Sequence, residues 1–118
     1  MVIHDATLNR TTNGRGRVRG WLLKDLKRLD AGKGERIPTL EEALDFMRVK
    51  KVKAFVELKE KEGVYQIVKT VERFGGKDIL ITFYPDILKR IAVLNHRLTT
   101  GLVFSKRVSH IERFLRFA

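Results

Sequence analysis

Short apolar runs alternate with longer segments of helical spacing along this chain, and that order constrains its fold more than any other feature. Runs predicted to be strands lie at residues 2–3, 54–58, 79–83 and 101–104. Apolar side chains between them recur three and four residues apart, as at Val64, Val68 and Val71. The strand runs are almost continuously apolar, which is typical of parallel strands covered by helices. The pattern predicts an α/β fold with parallel strands.

Local signals mark the ends of the predicted helices. Thr39 followed three residues later by Glu42 is a capping-box pattern, which predicts a helix start. The pair at residues 75–76 is Gly-Gly and ends the next helix, while Pro85 suits the first turn of the one after. Helical spacing also predicts helices over residues 22–29 and 108–117. The result is four strand–helix alternations.

Two α/β architectures fit this alternation. One is a small, open, doubly wound sheet, and the other is part of a (β/α) barrel. A whole barrel needs eight strands and about 250 residues. The chain has 118 residues, about half of that length. Periodicity alone does not choose between the two.

The composition narrows the class of protein. A formal net charge of +11 favours anionic partners, yet the chain carries no nucleic-acid-binding motif, so we expect no nucleic-acid partner. The absence of cysteine excludes disulfides and thiolate chemistry. No apolar run is long enough for a membrane span, and the start has no signal-peptide pattern. We therefore expect a cytoplasmic protein.

Polar side chains follow two of the predicted strands where those strands end. His4 follows the first strand, and Glu57 and Lys59 lie at the end of the second. Parallel α/β folds build their sites at the carboxyl ends of strands, so we expect these three side chains on the same side of the sheet. Histidine suits proton transfer, carboxylate binds hard cations, and lysine neutralises phosphate charge. Each residue alone has an ordinary surface or strand-end interpretation.

Three motifs in order give a more specific signal. Residues 4–14 read HDATLNRTTNG, residues 37–44 read IPTLEEAL, and residues 56–59 read VELK. These resemble the HD-x-x-L-x-R-T-T-x-G, I-P-T-L-E-E and I-E-I-K segments of glycerophosphodiester phosphodiesterases. Residues 81–83, ITF, resemble a later strand of that family less specifically. The resemblance covers essentially the whole chain and implies a single incomplete glycerophosphodiester phosphodiesterase-like domain over residues 1–118.

The resemblance implies a metal-dependent TIM barrel that hydrolyses glycerophosphodiesters to sn-glycerol 3-phosphate and an alcohol. In this family pattern His4 would be one of two catalytic histidines. Glu57 would be a ligand of a divalent cation, Mg²⁺ or Ca²⁺. Lys59 would face the phosphate of the substrate. The implied chemistry is phosphoryl polarisation by the cation with proton transfer by histidine.

The sequence also departs from the family pattern. The family's H-R-G and E-x-D segments, which supply the other histidine and two further metal ligands, precede the HD pair, and here only three residues precede His4. The match therefore corresponds to about strands three to six of eight, and we expect a truncated form that is inactive alone. The alternative is a non-enzymatic homo-oligomeric half-barrel. Either way we expect a homodimer, because an unclosed barrel leaves interior side chains uncovered, from Ile3, Phe55, Leu80 and Val103 or their immediate neighbours.

Overall fold

The computed structural model describes residues 1–104, and the chain forms two compact units that divide after Ala43, within a helix. A 3-10 turn and seven regular elements follow in chain order: the turn Val18–Gly20, α1 Leu23–Leu26, α2 Leu40–Val49, β1 Phe55–Glu57, α3 Val64–Arg73, β2 Ile79–Thr82, α4 Pro85–Leu94 and β3 Thr100–Leu102. The predicted helix at residues 108–117 lies outside the described residues.

The second unit contains a parallel sheet in the order β1-β2-β3. Val56 is aligned with Leu80, which is in turn aligned with Thr100. Each strand lies within one or two residues of its predicted position, and α3 and α4 connect the strands as predicted. The prediction of an α/β fold with parallel strands is confirmed.

The sheet of the second unit has one buried and one less buried face. Along β2 the side chains alternate, with Leu80 and Thr82 fully buried and Ile79 and Ile81 only half-buried. Glu57 is aligned with Ile81 and therefore shares the less buried face. Phe55 is on that face and is 70% exposed. Leu80 itself lies on the buried face, because side chains alternate along a strand, and its immediate neighbours Ile79 and Ile81 lie on the less buried face, which the expectation allowed.

Helices α3 and α4 bury one stripe each. In α3 the buried apolar residues are Val64, Val68 and Val71, and in α4 they are Ile87 and Ile91. The three- and four-residue spacing of these positions gives each helix a single apolar face. The two helices contact each other, and α4 contacts β2 and β3. This packing forms the core of the second unit.

The first predicted strand is absent from the described residues, so the prediction of four βα units is wrong and three strands are present. Residues 2–3 are irregular; the Val2 amide donates to the Pro38 carbonyl at 2.9 Å, and Ile3 packs on a small core. That core consists of Leu8, Leu26 and Ile37. A run of two apolar residues is too short to form a stable set of strand hydrogen bonds, and Ile3 packs on the small core instead.

The helix predicted over residues 22–29 is also shorter than expected. α1 covers only Leu23–Leu26. Leu29, which the spacing placed on the helix, instead packs against the small core of the first unit. Gly14 leaves room for it, since a Cβ there would lie 2.7 Å from Leu29 Cδ1 and would force a side chain to shift. The helix therefore ends at Leu26, and Leu29 packs on the core of the first unit rather than extending the helix.

The capping box predicted at the start of α2 is confirmed. Thr39 Oγ1 accepts a hydrogen bond from the Glu42 amide at 3.1 Å, and Glu42 Oε2 accepts one from the Thr39 amide at 2.8 Å. Lys27 binds the same carboxylate oxygen at 2.5 Å and also donates to the Ile37 carbonyl. These contacts fix residues 37–42 against α1 within the first unit.

Candidate active site

Glu57 and Lys59 lie together at the carboxyl end of β1, where the sequence placed them. Glu57 is the last residue of the strand and Lys59 follows two positions later. The Lys59 Nζ atom is 3.8 Å from Glu57 Oε2. Both side chains are about one-third exposed, at 36% for Lys59 and 28% for Glu57. A half-buried carboxylate and ammonium at a strand end make a site that can hold a cation and an anion side by side.

A buried hydroxyl fixes the backbone between these two residues. Thr82, at the end of β2, is fully buried, and its Oγ1 donates to the Leu58 carbonyl at 2.6 Å. The same oxygen accepts a hydrogen bond from the Tyr84 amide at 3.2 Å. Thr82 thus ties the Glu57–Lys59 segment to the neighbouring strand. Our sequence reasoning missed this residue, because a threonine in an apolar run looks like any other strand former.

His4 lies in the first unit and is held by a carboxylate. Its Nδ1 atom is 2.7 Å from Asp5 Oδ1, and the His4 side chain is 76% exposed. Arg10 binds both oxygens of Asp5, with Nε at 2.7 Å from Oδ2 and a terminal nitrogen at 2.8 Å from Oδ1. This two-pronged arginine–carboxylate geometry fixes the position of Asp5.

The charge state of Asp5 decides which histidine nitrogen can transfer a proton. The hydrogen bonds from Arg10 and then from His4 hold the pKa of Asp5 well below its usual range, so Asp5 is ionised at neutral pH. An ionised carboxylate only accepts hydrogen bonds, so His4 Nδ1 carries the proton. Proton exchange with a reacting group then falls to Nε2. Asp5 was visible in the sequence as the second residue of the HD pair. Arg10 belongs to the same motif, but sequence reasoning assigned no role to it.

The structure brings Glu57 and Lys59 together, and it brings His4 together with Asp5 and Arg10. Because these groups belong to two units that are described separately, their convergence at one site stays a prediction. His4 is not at a strand end, since residues 2–3 form no strand. That part of the prediction is wrong, and the hydrogen bond with Asp5 positions the imidazole instead.

Two general findings concern the described residues. Within residues 1–104, no group of three or more His, Asp or Glu side chains is arranged to hold a metal ion. Over the same residues, no helix combines the length and apolar character that crossing a membrane requires.

The parallel sheet with charged residues at the carboxyl end of β1 is an arrangement that α/β barrels use for their sites, and comparison with known proteins identifies the family. The sequence matches the Glycerophosphoryl diester phosphodiesterase family over residues 1–116. The chain therefore belongs to that family.

Individual relatives and solved structures support the same family. The chain is 31% identical over 118 residues to a glycerophosphodiester phosphodiesterase of Caldanaerobacter subterraneus, covering 88% of this chain and 49% of that protein. It is 47% identical over 84 residues to a putative glycerophosphodiester phosphodiesterase of Bacillus subtilis, covering 65% of this chain and 34% of that protein.

A solved Oleispira antarctica phosphodiesterase, in complex with sn-glycerol-3-phosphate, superposes with a TM-score of 0.83 at 27% identity, covering 98% of this chain and 53% of that one. The Agrobacterium tumefaciens glycerophosphodiester phosphodiesterase gives a TM-score of 0.75 at 28% identity, covering 83% and 45%. These likenesses identify the fold as a partial (β/α) barrel. The chain spans about half the length of these structures and about half or less of its curated relatives.

Proposed function

We propose that this chain is the central part of a glycerophosphodiester phosphodiesterase, an enzyme that hydrolyses glycerophosphodiesters to sn-glycerol 3-phosphate and an alcohol. The observation that carries the proposal is the family match over residues 1–116. The product complex of the Oleispira antarctica phosphodiesterase supports the substrate class. Family membership favours this function over a non-enzymatic half-barrel module.

His4 is the proposed proton-transfer residue. Its Nε2 atom would exchange a proton with an oxygen of the reacting phosphodiester or of the attacking water. Asp5 is a positioning residue: it fixes the imidazole tautomer and orientation through the 2.7 Å hydrogen bond to Nδ1. Arg10 keeps Asp5 ionised and in place. Together the three residues prepare one histidine nitrogen for the reaction.

Lys59 and Glu57 are the proposed groups for the phosphate and the cation. The Lys59 ammonium would neutralise phosphate charge that grows in the transition state. Glu57 would be one ligand of Mg²⁺ or Ca²⁺, which when bound would polarise the phosphoryl oxygens. Such ions take about six oxygen ligands, and the described residues provide no group of three candidate side chains. The described residues therefore do not make a complete cation site by themselves.

We expect the 118-residue chain alone to show little or no turnover, because one proposed cation ligand and one proposed proton-transfer histidine within residues 1–104 do not supply the full charge stabilisation and proton transfer. A chimera tests the function directly. In it, this chain replaces the corresponding stretch of the Caldanaerobacter relative, and release of sn-glycerol 3-phosphate from glycerophosphocholine is followed with added Mg²⁺ or Ca²⁺. We expect turnover, reduced at least about 100-fold by His4→Ala.

Control variants separate the proposed roles within the chimera. Asp5→Asn should lower kcat with little change in KM and shift its pH profile, because an amide can leave the imidazole in the wrong tautomer. His96→Ala, at an exposed histidine of the second unit, should leave turnover unchanged. A folded chimera whose turnover survives His4→Ala would contradict the assignment of His4. Turnover by the isolated chain would instead contradict the expectation that it is inactive alone.

We also propose that the isolated chain self-associates as a homodimer. The less buried face of the sheet carries Phe55, 70% exposed, together with half-buried Ile79 and Ile81. Covering about 600 Å² of such surface would contribute about 15 kcal/mol as an upper bound. Sedimentation at micromolar concentration tests this: Phe55→Ser should shift the dimer towards the monomer, whereas Tyr65→Ser, at an exposed position of α3, should not. A stable 13.7 kDa wild-type species would refute the proposal.

A further inference from the structure

A basic cavity lies at the edge of the sheet opposite Glu57 and Lys59. It has a volume of about 310 Å³ and is formed entirely within the second unit. Its walls come from the end of α2, the segment leading into β1, the end of α3 and the segment leading into β2. These segments meet at the amino ends of β1 and β2. The proposed phosphodiesterase site uses the carboxyl ends, so this cavity is a separate feature.

The charged residues that line the cavity are mostly positive. Lys51, Lys53 and Lys77 line it, all three are exposed, and none of them forms an ion pair with another described residue. The carboxylate among the lining residues, Asp78, is buried and accepts a hydrogen bond from the Ala54 amide at 2.8 Å. Three lysines that line one cavity and have no ion-pair partner among residues 1–104 attract an anion of more than one charge.

The remaining walls are apolar or aromatic. The Phe74 ring is covered by the Arg48 guanidinium at 5.5 Å from its centre. Arg48 is itself paired with Asp45 at 2.6 Å, so its charge is largely satisfied. Leu44, Met47 and Val52 complete the apolar lining. A ligand here would therefore meet both lysine side chains and apolar surface.

We propose that this cavity binds a small organic phosphate whose dianionic group contacts the three lysines and whose apolar or planar part packs on the wall formed by Val52 and Phe74. Lysine is an effective phosphate ligand because its ammonium acts as a mobile point charge. The volume is at the small end of ligand pockets, which suits one phosphate and one ring. A phosphate dianion matches the excess charge better than a carboxylate does. The proposal does not depend on the phosphodiesterase assignment.

The backbone at Lys51 offers a clean perturbation. Lys51 has a φ of 55° and lies two residues after the end of α2: its amide donates to the Arg48 carbonyl, and the Val52 amide donates to the Met47 carbonyl. Glycine is the favoured residue at such a left-handed helix end. Lys51→Gly therefore removes the ammonium without straining the fold. Lys33, also at a φ of 55°, lies in the first unit and does not line the cavity. Lys33→Gly is thus a control with the same chemical change in the same backbone conformation.

The experiment titrates phenyl phosphate, inorganic phosphate and benzoate into the 118-residue chain, with amide chemical shifts as the readout. We expect saturable binding of phenyl phosphate, tighter than binding of inorganic phosphate or benzoate, with shifts centred on Val52 and Phe74. Lys51→Gly should weaken it about threefold and the triple change Lys51→Gly, Lys53→Gln, Lys77→Gln about tenfold or more, whereas Lys33→Gly should leave it unchanged. Equal weakening by Lys33→Gly and Lys51→Gly, benzoate binding as tight as phenyl phosphate, or no saturable binding would overturn the proposal.

Discussion

Replacing Thr82 with valine removes one buried hydroxyl while almost preserving side-chain volume. The hydroxyl donates to the Leu58 carbonyl at 2.6 Å and accepts from the Tyr84 amide at 3.2 Å, and Thr82 has no exposed surface. Valine has the same branched shape, so the substitution creates no cavity. Its effect on stability therefore reports the two hydrogen bonds rather than packing.

The expected loss is about 2 kcal/mol of unfolding free energy. A buried polar group that loses its partner costs about 1–3 kcal/mol, and here a carbonyl and an amide each lose one. The added methyl group offsets about 0.8 kcal/mol. For a chain of this length, a loss of about 2 kcal/mol lowers the Tm by about 8 °C. The loss should also speed hydrogen exchange at the Lys59 amide, which shares a peptide group with the Leu58 carbonyl that loses its partner, whereas the Leu58 amide keeps its bond to the Ile81 carbonyl.

Urea unfolding followed by circular dichroism measures the loss, and unchanged denaturant dependence would show that the folded state stays compact. Thr82→Ser keeps the hydroxyl and should cost about 1 kcal/mol or less. Thr99→Val makes the same chemical change at an exposed position and should change stability by less than about 0.5 kcal/mol. If Thr82→Val were as stable as Thr82→Ser, the hydrogen bonds would not be what holds this end of the sheet.

Two further perturbations test the first unit. Gly14→Ala should cost about 1–3 kcal/mol, because the new Cβ would lie 2.7 Å from Leu29 Cδ1, whereas Gly20→Ala, which meets nothing within 4 Å, should be nearly neutral in the same urea experiment. Hydrogen bonds from Lys27 and from the capping box lower the pKa of Glu42 in the folded state. Its contribution is therefore complete above the ordinary value of 4.5 and is lost as the pH falls through the folded-state pKa. The stability difference between wild type and Glu42→Gln should shrink between about pH 7 and about pH 3, and a difference independent of pH would contradict this.

The sequence predicted the second unit well because its elements are set by local pattern. The apolar period of α3 and the runs of β1 and β2 appear directly in the residue order, and the structure places them within one or two residues. The first unit was predicted poorly, since Ile3 and Leu29 serve a small core that only tertiary contacts reveal. A two-residue run and a three-leucine spacing carry too little information to choose between a regular element and packing.

The candidate site shows the same division between local and tertiary information. Glu57 and Lys59 were predictable because a strand end and its next residues are contiguous in sequence. The partners that position site residues were not, because Thr82 meets Leu58 from another strand, 24 residues away. Arg10 meets Asp5 across a loop, five residues apart. A sequence motif therefore identifies the reacting residues more easily than it identifies the residues that position them.

The proposed site separates groups that react from groups that position, and their environments differ accordingly. His4 is mostly exposed, as a proton-transfer group that meets substrate must be, and Lys59 is half-buried. Thr82 is fully buried, and Asp5 is held by two partners. A reacting group has to remain accessible to substrate, so burial cannot fix its orientation. A neighbouring residue that is itself held by hydrogen bonds must fix it instead. Changes at Asp5 should therefore alter turnover without removing the histidine, whereas changes at Thr82 should first appear as lost stability at the carboxyl end of the sheet.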